Sequence, residues 1–169
     1  MNDTKICCFT GHRSVPDDLA RETRDVLEKA IRSLARHGVT SFRAGGARGF
    51  DCMAALAVLA VRDNEFPDIK LDLFLPCKDQ TKNWKLWEKA QYAYILKKSD
   101  SHVYTSEKYY SGCMHKRNRA MVEGSDFCIA FYDGSPGGTA YTVDYAASRG
   151  LQIINIYDLI EKDEDTYDD

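Results

Sequence analysis

Apolar positions along this 169-residue chain alternate between short continuous runs and helical spacing. Residues 6–10 form a short apolar run that stops at Gly11. Between residues 18 and 37, Leu19, Val26, Leu27, Ala30, Ile31 and Leu34 then recur on one side of a 3.6-residue turn. The first pattern predicts a strand buried on both faces, the second an amphipathic helix. Gly38 marks the helix end, and residues 39–44 read as a second strand that breaks off at Gly45-Gly46. Asp51 is placed to cap an alanine-rich helix reaching about residue 63, and residues 71–75 form a third strand closed by Pro76. Residues 83–97 predict a helix with Trp84, Trp87, Gln91, Tyr94 and Ile95 on one face, an aromatic stripe expected to lie in the core. A fourth strand over 101–105, a helix over 114–123, a strand over 127–132, a helix over 139–149 and a last strand over 151–157 complete the chain.

Strands that alternate with helices and are apolar on both faces indicate a parallel sheet covered by helices. We therefore expect an α/β fold: a Rossmann-like, doubly wound, mainly parallel sheet of about six strands with helices on both faces. An eight-stranded barrel needs a longer chain. One domain is expected over residues 1–160, followed by an acidic tail, 161–169, read as a solvated, disordered end.

Composition narrows the function classes. Hydrophobic residues make up 44% and charged residues 29%, as in ordinary globular chains. No apolar run approaches the roughly 20 residues of a membrane helix, and residues 1–5 lack the layout of a secretion signal, so the expected location is the cytoplasm. Six scattered cysteines form no C-x-x-C pair and read as small core residues, while Cys113 and His115 match no metal-ligand spacing. The tail's six acids and one lysine contribute −5 to the net charge of −3, leaving the body at +2. A near-neutral body argues against a broad nucleic-acid footprint.

In such folds ligands bind beyond the carboxyl ends of the strands. Four loops stand there. Residues 10–14 supply Gly11 for close backbone approach, with His12 and Arg13 as donors to an anion. Residues 43–51 bring Gly45, Gly46, Arg48, Gly49 and Asp51 to a helix start, where backbone N–H groups and the helix dipole favour phosphate. This loop is neither a P-loop nor a G-x-G-x-x-G turn, and a tight turn with no ligand is its alternative reading. Residues 114–119 crowd Lys116, Arg117 and Arg119 at a helix start that disfavours cations unless an anion is present. Residues 133–139 open another helix with Gly137, Gly138 and the Thr139 hydroxyl, and Asp144 follows about a turn and a half later.

Cys8-Phe9-Thr10-Gly11-His12-Arg13, the run from Gly45 to Asp51, Gln80 with Trp84, Arg117-Asn118-Arg119 and Pro136-Gly137-Gly138-Thr139 together resemble the YpsA-like branch of the SLOG superfamily, over nearly the whole chain. The resemblance implies a Rossmann-like fold and a nucleotide or nucleotide-derived ligand. The superfamily also contains DprA, which processes DNA, and the LOG phosphoribohydrolases, which release a base from a nucleoside 5′-monophosphate. Met114-His115-Lys116-Arg117-Asn118 matches the LOG pattern M-H-x-R-K except at its lysine, and Pro136-Gly137-Gly138 opens the LOG pattern P-G-G-x-G-T-x-x-E. Ala140, Tyr141 and Asp144 then stand where glycine, threonine and glutamate belong.

Three readings follow. The leading one is a protein that binds or senses a nucleotide, with phosphate held by Gly45, Gly46, Arg48, Gly137, Gly138 and Thr139 and the anion site completed by Arg13 or Arg117; Gly11, His12, Gly49, Asp51 and Asn118 complete the candidate set. The alternative is a LOG-like N-glycosidase in which Arg117 orients the ligand and Asp144 acts on the ribose. The third is single-stranded nucleic acid binding as in DprA, with Trp84, Trp87, Tyr109 and Tyr110 as stacking platforms. Neither of the first two schemes requires a metal or a cofactor. The resemblance to LOG enzymes also implies a homodimer as an option.

Overall fold

The computed structural model of the chain describes residues 4–160, so the acidic tail at 161–169 lies outside the described residues. Six strands, β1 (Lys5–Gly11), β2 (Val39–Ala44), β3 (Lys70–Leu75), β4 (Ser101–Tyr104), β5 (Phe127–Phe131) and β6 (Gln152–Asn155), alternate with α1 (Asp17–Arg36), α2 (Phe50–Asn64), α3 (Leu86–Lys98), α4 (Cys113–Val122), α5 (Gly138–Ser148) and the single turn α6 (Ile156–Leu159). The strands form one sheet, all pairs parallel, in the order β4-β3-β2-β1-β5-β6.

Crossovers between parallel strands are right-handed, so the steps from β1 through β2 and β3 to β4 place α1, α2 and α3 on one face. The chain then returns past β1 to β5, which puts α4 and α5 on the other. Side chains in β1 and β5 alternate accordingly. Cys7, Phe9, Ile129 and Phe131 pack with Leu27, Ile31 and Phe50, whereas Cys8 and Cys128 pack with Met121, Val122 and Ala146. On the α4 face Arg43 donates to the carbonyls of Met121 and Glu123 at that helix end, where the Ser125 hydroxyl also donates to Met121.

Phe50, fully buried at the start of α2, sits where sheet and site meet. Its ring packs against Phe131 (centroids 5.8 Å apart) and Phe9 (6.4 Å). It also covers Gly11 so closely that a Cβ there would overlap the ring.

Three sequence-based expectations are corrected. Asp51 does not cap α2, which is preceded by Gly49 and has no side-chain cap. The Glu88 carboxylate accepts from the Lys85 N–H at 2.9 Å and so starts α3 at Leu86, which leaves Trp84 in the preceding turn, and Ile95 is the one buried residue of that helix. The aromatic stripe is therefore not core: Trp87 is 63% and Tyr94 52% exposed. The last strand stops at Asn155, whose side chain accepts from the Tyr157 N–H and bonds both backbone groups of Tyr132, turning the chain into α6. Packing at Phe50 predicts that Phe50→Ala costs about 3–5 kcal/mol in denaturant unfolding, while Leu86→Ala at an 85% exposed position changes stability by less than about 0.5 kcal/mol.

Candidate functional site

The strand order reverses between β1 and β5, and the two connections leave in opposite directions. A crevice opens at that point in doubly wound sheets. Here it is a cleft of about 290 Å³ lined by Thr10, Gly11, His12 and Arg13 after β1, Ala47 and Asp51 before and within α2, Met114, Arg117 and Asn118 on α4, and residues 136–139 at the start of α5. Two helices thus point their amino ends at one cavity. Neither has a side-chain cap: Gly112 precedes α4 and Gly137 precedes α5. The first N–H groups of a helix lack partners within it, so both ends offer donors to an anion. Thr139 is nearly buried beside them, and Arg13 is exposed at the rim.

His12 is held at the edge of the cleft. Its Nε2 lies 2.9 Å from the Asp133 carboxylate and 3.1 Å from the Asp133 backbone N–H. Bonds from the Ser135 hydroxyl and N–H, with His12 adding to them, keep the Asp133 carboxyl below its ordinary range. The His12 carbonyl accepts from the Phe50 N–H, which fixes the first loop to the start of α2.

The glycines of the second loop serve packing. Gly45 lets Arg117 and Asp51 approach, and a Cβ there would meet both at 2.6–2.8 Å. Gly46 lies under Leu75, with Tyr92 and Gln80 beside it. Gly49 has φ +80° and presses on the Arg13 carbonyl, so a side chain would be strained and blocked at once. None of the three lines the cleft, and Arg48 points elsewhere, 5.5 Å over the Trp84 ring and 3.9 Å from Glu88.

Arg117 and Asp51 are the cleft's buried charges, 4% and 5% exposed. Arg117 donates to the Gly45 carbonyl and to Asn118 Oδ1 (2.7 Å), and its Nη2 is 4.0 Å from Asp51 Oδ2. Asp51 also accepts from the Ala47 N–H at 3.2 Å. Burial pushes the Asp51 carboxyl up against the pull of Arg117, and lowers Arg117 against the pull of Asp51. Since the folded-state value of Asp51 is raised, burying it neutral adds stability below the ordinary carboxylate range, and that contribution is lost as pH rises through the raised value. Asp144 is exposed on α5 and is not among the residues of the cleft; Arg119 is on the surface, donating to the Tyr141 hydroxyl at 3.1 Å. Thr10, Ala47, Met114 and Pro136 line the cleft without having been placed in the candidate set, although Thr10, Ala47 and Pro136 each adjoin a member of it and Met114 lies three residues before Arg117. Among the described residues no group of three or more His, Cys, Asp or Glu is placed to hold a metal ion, and no helix is long and apolar enough to cross a membrane. The pair yields a test by double-mutant cycle. Asp51→Ala, which leaves the Arg117 charge buried without a counterion, is expected to cost about 3–5 kcal/mol at neutral pH, and Asp51→Ala with Arg117→Met is expected to cost less than the two single changes added together.

Comparisons with known proteins agree with this architecture. The model of the YspA SLOG family (YpsA) matches residues 7–164. A UPF0398 protein of Bacillus cereus is 28% identical over 180 residues, covering 95% of this chain and 97% of its own. Another, from Bacillus cereus strain G9842, is 32% identical over 131 residues, covering 75% of this chain and 70% of its own. Among solved structures, DNA processing protein A (DprA) of Streptococcus pneumoniae superposes with a TM-score of 0.64 at 17% identity over 89% of this chain. DprA of Helicobacter pylori, whose structure describes a single-stranded DNA binding mode, gives 0.58 at 17% identity over 88%. This chain spans 49% of the first DprA and 64% of the second, and the likeness is one of fold. With a family match across nearly its whole length and a Rossmann-like parallel sheet, the chain belongs to the YspA SLOG family.

Proposed function

We propose that this protein binds a nucleotide or nucleotide-derived ligand, with a phosphate seated between the amino ends of α4 and α5 and Arg13 closing over it. The observation that carries this reading is the convergence of two helix starts without side-chain caps on one cleft at the switch point. Donors would come from the backbone of residues 137–139 and the Thr139 hydroxyl, and Arg13 would add a bidentate cation. Arg117 and Asp51 form the floor. Asn118 and His12 face the ligand from either side. The cleft volume sits at the small end of the usual range for ligand sites, about 300–1,000 Å³, which suits a mononucleotide.

Binding is favoured over N-glycosidic hydrolysis. The carboxylate that a LOG-like reaction would place on the ribose corresponds to Asp144, and Asp144 lies outside the cleft. Asp51, the carboxyl group inside it, is engaged by Ala47 and Arg117.

A second reading, binding of single-stranded nucleic acid, draws support from the DprA-like fold and from Tyr109 (63% exposed) and Tyr110 (47%) just ahead of α4. Exposed rings beside an anion site are how such proteins stack successive bases.

Gly138→Asp separates ligand binding from folding. A Cβ at Gly138 meets nothing within 4 Å, so the substitution is tolerated by the fold while it places a carboxylate at the start of α5. In a thermal-shift panel of mononucleotides, dinucleotides and cyclic nucleotides, a ligand at 100 times its Kd should stabilise by about 2.7 kcal/mol, and Gly138→Asp or Arg13→Ala should remove the shift. A panel without any shift, or a shift that survives Gly138→Asp, overturns the reading. For the second reading, a labelled oligonucleotide should bind with an affinity that falls as salt rises and is lost in Tyr109→Ala with Tyr110→Ala.

A further inference from the structure

The carboxyl ends of β3 and β4 carry a polar cluster that the cleft between β1 and β5 does not use. Among the described residues, the Ser106 hydroxyl is a buried side-chain polar atom without a hydrogen-bond partner, and the Gln80 amide stands beside the Tyr92 hydroxyl. Gln80 and Ser106 lie in the loops that follow β3 and β4. A buried hydroxyl or amide left alone costs stability, and such groups gather where something else completes them. Ser106 lines a hollow of about 480 Å³ together with Lys78, Tyr104, Thr105, Glu107 and Lys116. Lys78 stands 5.6 Å from the centroid of the Tyr104 ring. Among the described residues, neither Lys78 nor Lys116 has a carboxylate within ion-pair distance, the exposed Glu107 included. Two ammonium groups therefore face one hollow, and the Glu107 carboxylate that shares it forms an ion pair with neither. The amino end of α4 divides this hollow from the cleft, since Met114, Arg117 and Asn118 line the cleft and Lys116 lines the hollow.

We propose that Lys78, Lys116 and the Ser106 hydroxyl hold a second phosphate, so that the ligand carries two phosphate groups, one on each side of the start of α4. Ammonium groups and a hydroxyl donor suit a phosphate that is gripped by charge rather than by a planar fork. The second phosphate belongs either to a small nucleotide phosphorylated at two positions or to the next link of an oligonucleotide. This inference rests on the first phosphate lying at α5.

The test titrates the protein and Lys78→Ala/Lys116→Ala with a nucleoside 5′-monophosphate, the matching 3′,5′-bisphosphate and a short oligothymidylate by calorimetry. Both lysines are exposed, so the double variant should fold. The bisphosphate or the oligonucleotide is expected to bind about tenfold or more tightly than the monophosphate. The double variant should lose that gain and keep monophosphate affinity within about twofold. A gain for the bisphosphate alone identifies a small ligand, and one for the oligonucleotide alone a strand. Equal affinity for all three, or a gain that persists in the double variant, overturns the proposal. A parallel arm separates the two sites: in Gly138→Asp protein, inorganic pyrophosphate should shield Lys78 and Lys116 from acetylation, read by mass spectrometry. Shielding there, with no nucleotide binding in the unaltered protein, retires the first site and keeps the second. No shielding overturns the second.

Discussion

The carboxyl edge of this sheet is organised around one buried cation. Arg117 reaches from α4, on one face of the sheet, to the Gly45 carbonyl after β2 and to Asp51 at the start of α2, on the other. Removing a guanidinium from water is tolerable only when its N–H groups and its charge are answered. Gly45, Asn118 and Asp51 answer them, and Gly45 must lack a side chain for the approach to be possible. Asp51 in turn fixes Ala47, and Gly49 lets the first loop lie against the second. The contour of the cleft follows from this chain of contacts.

Much of the fold was legible from hydrophobic period alone. Runs buried on both faces, each followed by a helical pattern and a glycine, sufficed for six parallel strands, because a βαβ unit leaves few other places to hide such runs. The misread segments are those where a local polar contact outweighs the pattern. The bond from the Lys85 N–H to the Glu88 carboxylate begins α3 two residues after Trp84, and the side chain of Asn155 ends β6 early. Neither contact has a periodicity to be read.

The site was legible as a set of loops and less so as roles. Two glycine-rich loops of similar composition do different work. The one at 136–139 keeps its glycines open to the cleft, while the one at 45–49 spends them on close packing. Sequence cannot separate these uses, because the difference lies in what stands opposite: open space beside Gly138, and Arg117, Leu75 or the Arg13 carbonyl beside the others. For the same reason Arg117 drew notice as a cation at a helix start, whereas its burial depends on a loop 72 residues away.

The crossover from β4 back to β5 determines when the cleft can exist. Its walls come from both ends of the described chain, Thr10 near one and Thr139 near the other, and they meet only after β5 has docked beside β1. Such long-range closure is slow compared with local helix formation. A chain still emerging from the ribosome, or one cut before α5, has the second loop and its glycines but no cavity. The cavity is therefore a late product of synthesis, and any contact made across it joins the loop after the first strand to the loop after the fifth, opposing their separation.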